Sequence, residues 1–359
     1  MKINILWFFY GVGLILSVSS CSKDNATPIT TGTSTLGLYE YAADSGKRIF
    51  IPISKIGNQT INYYSVFDTG SSGMTIDAHS LIPDAMITST GIQFAGDSIT
   101  VNGITIIAGQ YSLSYGNRTG LTKEYGYLAY APLTIGDANG SISAKRVPIF
   151  LYYKVVDVNS GKTDPNQHSL DIFGVGPGTS YANSTIVSPL TYFNTNASVS
   201  GFKLAVLPRT MFSGSGTYVS KLLKVGLSSE DITSNGFIMH SLSSNGVGGY
   251  SPNIPATITY SNQTINGNVL FDTGTPLFSI IENKFALSST GPLPASTQVT
   301  VTTNMGFTYT YTTTAVTNLT QVQNPNVTGD YRTIFGIDFF MNNEYLTDYM
   351  HHQIGLKND

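Results

Sequence analysis

The sequence predicts a mainly β protein that is built from two similar lobes. Its polar residues are mostly Ser, Thr, Asn and Gly together with 22 tyrosines, a mixture that favours strands and turns over helices. Short apolar or alternating runs follow one another along the chain and are broken by Gly, Asn, Asp and Ser. One passage that ends in Asp-Thr-Gly occurs twice, at a separation that implies one copy in each lobe.

The composition is that of a folded protein with room for two cores. The chain has 359 residues, of which 41% are hydrophobic and 11% are aromatic. Only 11% are charged, below the usual ~25%, and the formal net charge is −3. Because nucleic acid is bound by basic surfaces, we expect no nucleic-acid partner.

The N-terminus is predicted to be a lipoprotein signal peptide that spans residues 1–21. Lys2 precedes an apolar run from Ile3 to Val18, which is shorter than the ~20 residues that a membrane-spanning helix needs. The run leads into Val-Ser-Ser-Cys, which resembles a bacterial lipobox and ends at Cys21, the single cysteine of the chain. We expect Cys21 to be the lipid anchor. The alternative is an ordinary secreted protein with an incidental cysteine.

Three segments are predicted after the signal peptide. Residues 22–36 are rich in Ser, Thr, Asn and Pro, which is typical of a flexible tether. Residues 37–204 are predicted to form an N-terminal lobe and residues 205–359 a C-terminal lobe, each with one Asp-Thr-Gly loop.

Strands are predicted where β-branched and aromatic residues are concentrated, at residues 48–53, 61–67, 99–107, 205–207, 299–303 and 307–312. Helical signals are few. They predict short helices at residues 78–81, 219–225 and 282–287, and a turn at residues 336–341.

The duplicated passage places a carboxylate on a tight turn after an apolar strand. Both copies begin with Asn-Gln-Thr-Ile-Asn, and they end in Phe-Asp-Thr-Gly at Asp68 and at Asp272. Two carboxyl groups about 3 Å apart cannot both ionise easily, because their like charges repel. Such a pair shares one proton and can act as acid and base together. The alternative is a pair of structural turns in a repeated β protein.

The two passages resemble the active-site loops of the pepsin-like aspartic proteases. In that family each loop pairs with a later hydrophobic-hydrophobic-Gly segment of the same lobe, and Ile-Phe-Gly occurs at residues 172–174 and 334–336. The final strands of the family are matched by residues 335–340, 345–349 and 353–356. The resemblance implies an all-β, bilobal fold with two β-barrel-like lobes and an active-site cleft between them.

The resemblance also implies that Asp68 and Asp272 are the catalytic pair. In the family, the threonine after each aspartate bonds across the lobe interface, the glycine lets the backbone approach, and the next hydroxyl donates to the carboxylate. On this basis the supporting residues are Thr69, Gly70 and Ser71 in the first loop and Thr273, Gly274 and Thr275 in the second.

A flap that covers the substrate is implied as well, with Tyr115 and Gly116 at its tip. Tyr125 and Gly126, in the same tyrosine-rich stretch, are a competing assignment. A further alternative is that Tyr115 is an ordinary strand aromatic that packs on a core.

Two residues depart from the family pattern. Pro276 stands in the second loop where the family usually has Ser, and Thr75 lies where a tryptophan commonly follows the first loop. We therefore expect the flap to be held differently from that of other members.

The sequence thus predicts an aspartic endopeptidase that hydrolyses extended peptide or protein substrates with a water activated between two carboxylates. The rival hypothesis, motivated by the two departures, is a catalytically inactive scaffold that binds peptides or proteins at the bacterial surface. A third is a passive surface adhesin. We expect a monomer, attached by its lipid anchor to the outer membrane of a bacterial cell envelope and facing either the periplasm or the surface.

Other kinds of site find no support in the sequence. The five histidines are scattered and lack metal-ligand spacing, so no structural metal is expected. The glycine-rich residues 174–178 lack the third glycine of a dinucleotide-binding fingerprint, and no Gly-x-Ser-x-Gly elbow of a serine hydrolase occurs. No cofactor is indicated.

Overall fold

The computed structural model of the chain describes residues 32–44, 46–117, 120–193, 195–246, 248–287 and 291–359. The predicted signal peptide with Cys21, and most of the predicted tether, lie outside these residues. The tether is predicted to reach residue 36, but the first strand already begins at Ser34. No helix in the described residues is long and apolar enough to cross a membrane.

The alternation of apolar and polar residues produces strands along nearly the whole described chain. In chain order they are β1 (Ser34–Ala43), β2 (Gly46–Ile56), β3 (Gln59–Asp68), β4 (Ser72–Asp77), β5 (Ile87–Thr88), β6 (Gly91–Ile92), β7 (Ser98–Val101), β8 (Ile104–Asn117), β9 (Gly120–Asp137), β10 (Gly140–Asp157), β11 (Ile172–Val175), β12 (Val199–Leu204), β13 (Thr217–Leu227), β14 (Ile238–Ser241), β15 (Ile254–Tyr260), β16 (Gln263–Phe271), β17 (Ser279–Glu282), β18 (Gly291–Pro292), β19 (Gln298–Thr303), β20 (Thr308–Thr312), β21 (Thr320–Gln323), β22 (Arg332–Phe335), β23 (Asn343–Asp348) and β24 (Gln353–Asn358).

Across the described residues, these strands form two main sheets. The larger has the order β14-β24-β23-β12-β13-β1-β2-β3-β11-β4-β10-β9-β8-β7, and the smaller has the order β18-β21-β17-β22-β16-β15-β19-β20. β5 and β6 make a separate pair. The helical segments are short: α1 (Ser229–Thr233), α2 (Pro325–Thr328) and 3-10 turns at Asp84–Met86, Pro189–Tyr192, Arg209–Met211 and Phe339–Met341.

Both sheets contain the same arrangement of three strands. In the larger sheet β11 lies between β3 and β4, parallel to β3 and antiparallel to β4. In the smaller sheet β22 lies between β16 and β17, parallel to β16 and antiparallel to β17. β3 and β16 carry the duplicated passage, whereas β11 and β22 carry the Ile-Phe-Gly segments. The duplication in the sequence is therefore a duplication of topology.

Buried aromatic side chains lie behind the duplicated strands. Phe67 and Phe271, which precede the two aspartates, are both buried. The ring of Phe67 meets Phe202 edge-on with centroids 5.7 Å apart, and the ring of Phe271 lies 4.2 Å from that of Phe339. Full burial of such a side chain is worth about 1.5–3 kcal/mol, so this packing anchors the strand ends that carry the aspartates.

The three predicted helices are wrong, since the structure describes their residues in other conformations. Residues 219–225 lie in β13, residues 282–287 run from the end of β17 into a turn, and residues 78–81 form a turn after β4. β13 pairs with β1 on one side and β12 on the other. The two hydrogen-bond ladders, with burial of Leu223 and Val225, outweigh the helix propensity of the Leu-Leu-Lys run.

The strand predictions are confirmed with two corrections. Residues 99–107 form a hairpin, in which β7 and β8 are joined at Asn102 and Gly103 with φ values of 52° and 78°. An Asn-Gly pair favours this tight turn because both of its residues accept a positive φ. Residues 205–207 follow β12 as irregular backbone. The predicted turn at 336–341 contains the 3-10 turn Phe339–Met341.

The predicted lobe boundary after residue 204 coincides with the end of β12. β12 pairs with β23 on one side and with β13 on the other, so strands from both sides of the boundary share the larger sheet. The assignment of residues 37–204 and 205–359 to two lobes stays a prediction.

Candidate active site

The two aspartates lie at equivalent places, where a strand of the repeated arrangement ends. Asp68 is the last residue of β3 and is paired with Gly174 of β11. Asp272 follows β16 directly, and its N–H donates to the carbonyl of Phe335 in β22 at 2.9 Å. The parallel neighbour thus holds each Asp-Thr-Gly loop from the side.

The glycines of the Ile-Phe-Gly segments make room for these loops. A Cβ atom on Gly174 would lie 2.8 Å from Ser71 Oγ, and one on Gly336 would lie 2.6 Å from the Thr275 carbonyl oxygen. Both distances are shorter than real contacts allow. Glycine is therefore needed at each position so that the neighbouring strand can support the loop.

The two loops are joined to each other by their threonines. The backbone N–H of Thr69 donates to Thr273 Oγ1, and that of Thr273 donates to Thr69 Oγ1, both at 3.0 Å. Each hydroxyl in turn donates across to the other loop, Thr69 to the Phe271 carbonyl at 2.8 Å and Thr273 to the Phe67 carbonyl at 2.6 Å. These four bonds set the distance between the two aspartates.

Each carboxyl group accepts the same two local hydrogen bonds. Asp68 accepts from the Gly70 N–H at 2.7 Å and from the Ser71 hydroxyl at 2.5 Å. Asp272 accepts from the Gly274 N–H and from the Thr275 hydroxyl, both at 2.7 Å. The two loops therefore hold their carboxyl groups with the same pair of donors.

The two carboxyl groups lie next to each other, since a Cβ atom on Gly274 would be 2.7 Å from Asp68 Oδ1 and 3.0 Å from Asp272 Oδ1. Asp68 is buried and Asp272 is partly exposed. The pKa of Asp68 is raised well above its usual range, first by burial and then by the Asp272 carboxyl beside it, and these causes outweigh the donors on its own loop. One proton held between two carboxyl groups is the arrangement that can serve as acid and base at once.

Tyr115 lies near the tip of the long β8–β9 hairpin. Tyr115 lies two residues before β8 ends at Asn117, and it pairs with Thr122 of β9. Gly116, the next residue, has a φ of 100°. Burial and the neighbouring Glu124 and Asp68 carboxyls raise the pKa of the Tyr115 phenol, so its ring lies within electrostatic reach of the pair. The hairpin therefore extends toward the aspartates.

The competing assignment, Tyr125 with Gly126, does not lie at a hairpin tip. These residues are in the middle of β9, where Gly126 pairs with Tyr111 of β8 on one side and Tyr152 of β10 on the other. A Cβ atom at Gly126 would lie 2.4 Å from the Leu151 carbonyl oxygen, which accounts for a glycine at this position.

Thr75 lies under Tyr115 and contacts it. Its hydroxyl lies close enough to the Tyr115 phenol to affect the pKa of that phenol, and it donates to the Leu170 carbonyl at 3.2 Å. Thr75 also lies beside Glu124, a fully buried residue whose pKa burial raises well above its usual range. The residue that departs from the expected pattern thus lies beside Tyr115. The burial of Glu124 was not visible in the sequence, because Glu124 lies in an ordinary alternating strand.

Pro276 meets the start of β2. The Pro276 carbonyl accepts from the Lys47 N–H at 3.0 Å, and the Gly274 carbonyl accepts from Arg48 Nη1 at 2.9 Å. Lys47 and Arg48 are not among the site residues that the sequence predicts. No local signal could have found them, since 226 positions separate Arg48 from Gly274.

Two of the scattered histidines come together beside β4. His79 Nδ1 lies 2.6 Å from Asp77, His168 Nδ1 lies 2.8 Å from Asp171, and His168 Nε2 lies 3.1 Å from the His79 carbonyl. These contacts join the turn after β4 to the segment before β11. In the described part of the chain, no group of three or more His, Cys, Asp or Glu side chains is placed to hold a metal ion.

No family model matches this sequence, and no curated protein matches it either. Among solved structures, the fold is similar to that of the aspartic proteinase from Irpex lacteus, with a TM-score of 0.57 and 16% identity over 91% of this chain and 97% of that chain. At this identity the likeness concerns the fold. The chain therefore has the bilobal, mainly β fold of a pepsin-like aspartic proteinase.

Proposed function

We propose that this protein is an aspartic endopeptidase. The observation that carries the proposal is the pair of facing carboxyl groups, Asp68 and Asp272, each held by one backbone N–H and one hydroxyl in nearly the same geometry. A structural turn needs no second carboxyl group beside it, and two adjacent acids destabilise a fold unless they share a proton.

The reaction we propose uses the different burial of the two acids. Asp68, the more buried, carries the shared proton and donates it to the oxygen of the scissile carbonyl. Asp272, the more exposed, takes a proton from a water molecule, whose oxygen then bonds to the carbonyl carbon. The tetrahedral gem-diol then breaks its C–N bond. The leaving nitrogen receives the proton held by Asp272, and one hydroxyl of the diol gives its proton to Asp68, so that a carboxylic acid and a free amine leave and the pair returns to its starting state.

The proposed substrate is an extended peptide that lies under the β8–β9 hairpin. Such a peptide can add main-chain hydrogen bonds to exposed strand backbone, and its side chains then alternate between the two walls of a cleft. Tyr115 supports this proposal, because its ring is half-buried near the hairpin tip and close to Asp68. A covering ring would also exclude water from the carboxyl pair.

The test is cleavage of a diverse peptide library by the full-length protein in mild detergent between pH 3 and pH 8. We expect cleavage that pepstatin blocks and that either Asp68→Asn or Asp272→Asn lowers by at least ~10³-fold, since each removes one partner of the proton exchange. Asp84→Asn is the matched control, because Asp84 is exposed in a 3-10 turn.

The result decides between the proposed functions. If the wild-type protein is folded and cleaves nothing at any pH, the endopeptidase proposal fails. Retention of library peptides by that inactive protein would then favour the peptide-binding scaffold. Cleavage that survives both substitutions would assign the activity to another site.

We also propose that the protein is a monomer held at a bacterial envelope by a lipid on Cys21. The support comes from the sequence, where an apolar run follows Lys2 and ends in a lipobox-like motif at the single cysteine. Bacteria that express the protein and are fed an alkyne-labelled fatty acid should label the wild type and not Cys21→Ser. Equal labelling of both would contradict the anchor.

A further inference from the structure

Arg48 of β2 reaches across to the loop that carries the second aspartate. Its Nη1 donates to the Gly274 carbonyl at 2.9 Å. Gly274 itself lies between the two acids, since its N–H bonds to Asp272 and a Cβ atom on it would be 2.7 Å from Asp68 Oδ1. The guanidinium group is therefore placed about one peptide unit from the carboxyl pair.

The position of Arg48 is held by its neighbours on β2. The Lys47 N–H bonds to the Pro276 carbonyl at 3.0 Å, and Lys47 Nζ lies 3.2 Å from Asp338. In β1, Tyr41 pairs with Arg48 through the sheet. The beginning of β2 is thus fastened to the second loop at two successive residues, which limits the motion of the Arg48 side chain.

The positive charge of Arg48 is not paired with a carboxylate of its own. Among the described residues, no carboxylate lies within salt-bridge distance of it, whereas Arg209 and Lys47 both pair with Asp338. Burial lowers the pKa of Arg48, and Asp68 and Asp272 oppose that change. An arginine stays protonated under these conditions, so the charge acts on the carboxyl pair.

Other titratable groups surround the pair, and among the residues that the structure describes none of them is a cation without a carboxylate partner. Arg332 in β22 acts on Asp272 but is bound by Asp330 through two bonds of 2.5 and 2.8 Å. Tyr345 in β23 and Tyr115 in β8 are neutral phenols whose pKa values burial raises.

We propose that Arg48 is a positioning residue of the carboxyl pair, which holds the Gly274 peptide in place and stabilises the singly ionised state of the pair. This inference rests on the proposed function, because it assigns a role within the same site. A nearby positive charge favours loss of a proton from each carboxyl group, so both limits of the pH range in which the pair holds one proton move to lower pH.

The experiment measures kcat/KM against pH for the wild type, R48Q and R48K, with the library peptide that is cleaved best. We expect R48Q to move both limbs of the bell-shaped profile to higher pH by about 0.5–1 unit. R48K, which keeps the charge but not the fork of donors, should restore most of that shift. Arg209→Gln, which removes one cation bound to Asp338, is the control for net charge.

A merely structural role would give a different result. It predicts that R48Q and R48K lower kcat/KM by the same factor at every pH, with the limbs unmoved, and that outcome overturns the proposal. Far-UV circular dichroism and the thermal midpoint show whether each variant is folded. R48K serves as the second variant if R48Q does not fold.

A proton titration separates failure of this inference from failure of the proposed function. The difference in proton binding between the protein and its Asp68→Asn variant reports the protonation of the pair without catalysis. This difference is measured once in protein that has Arg48 and once in protein that carries R48Q. If no peptide is cleaved but the titration moves to higher pH in R48Q, the endopeptidase proposal fails while the charge effect of Arg48 stands. An unmoved titration overturns the inference whether or not the protein cleaves peptides.

Discussion

Each threonine of the two Asp-Thr-Gly loops is fully buried and uses its hydroxyl both as donor and as acceptor. Since neither hydroxyl can reach water, loss of one leaves a carbonyl and an N–H unpaired in the other loop. The geometry of the aspartates therefore depends on two side chains that do not themselves touch a carboxyl oxygen.

At this residue scale we predict that Thr273→Val destabilises the protein by about 2–3 kcal/mol, because the Phe67 carbonyl and the Thr69 N–H lose their buried partners. Urea unfolding measures the change. Thr273→Ser keeps the hydroxyl and removes only a methyl group, so its free energy of unfolding should stay within about 1 kcal/mol of that of the wild type. Equal losses in both variants would show that packing, and not the hydrogen bonds, holds the loops together.

The β8–β9 hairpin is the element that the proposed function places over the carboxyl pair. Its tip carries Tyr115, and its inner end is fixed by pairing with β7 and β10. The Thr75 hydroxyl is the contact below the tip. A threonine at position 75 offers the tip a smaller contact than the tryptophan that is common at this place in the pepsin-like family. We therefore expect this hairpin to move more readily than the strands behind it.

At the element scale we predict that Tyr115→Ala lowers kcat/KM by at least ~10-fold, because the ring no longer covers the carboxyl pair. Tyr115→Phe and Thr75→Val should each lower kcat/KM severalfold, and the double variant should lower it no more than the larger single effect does, since both substitutions act on the same contact. Tyr125→Phe is the control from the middle of β9. A larger loss in Tyr125→Phe than in Tyr115→Phe would move the flap assignment to Tyr125.

The same element scale shows where sequence patterns mislead. The hairpin at residues 99–107 carries an explicit Asn-Gly turn signal, but its alternation continues across the turn and hides it. Residues 219–225 contain Leu and Lys, which favour a helix locally, and become β13 because β1 and β12 lie on both sides. Short segments take the structure of their neighbours when those neighbours offer complete hydrogen-bond ladders.

Buried carboxyl groups give the whole molecule a distinctive dependence on pH. Burial raises the pKa of Glu40 from 4.5 to about 8 and that of Glu282 from 4.5 to about 7. Glu40 is fully buried, and neither of its carboxyl oxygens has a hydrogen-bond partner in the described structure. A protonated acid tolerates such a site far better than a carboxylate does.

At the scale of the whole molecule we predict that stability falls as the pH rises from about 5 to about 8. The folded state keeps its protons in this range while the unfolded chain has lost them, so deprotonation favours unfolding. Thermal unfolding followed by circular dichroism at each pH measures this trend. Glu40→Gln, which stays neutral, should flatten the fall, and a midpoint that rises between pH 5 and pH 8 would contradict the assignment.

The sequence by itself determined the duplicated strands, the two Asp-Thr-Gly loops and the Ile-Phe-Gly segments. Each of these is a local pattern, and its residue types are required by backbone geometry within a few positions. The glycines at 174 and 336 illustrate this, since a side chain at either would collide with the loop beside it.

Only the tertiary structure decided which distant residues surround the carboxyl pair. It placed Thr75 under Tyr115, buried Glu124 next to both, and brought Arg48 to Gly274 across 226 positions of the chain. A strand alternates in the same way whether its inward residue is an apolar core residue or a charge that serves the site. What each inward side chain meets depends on how the sheets are ordered, and no local pattern encodes that order.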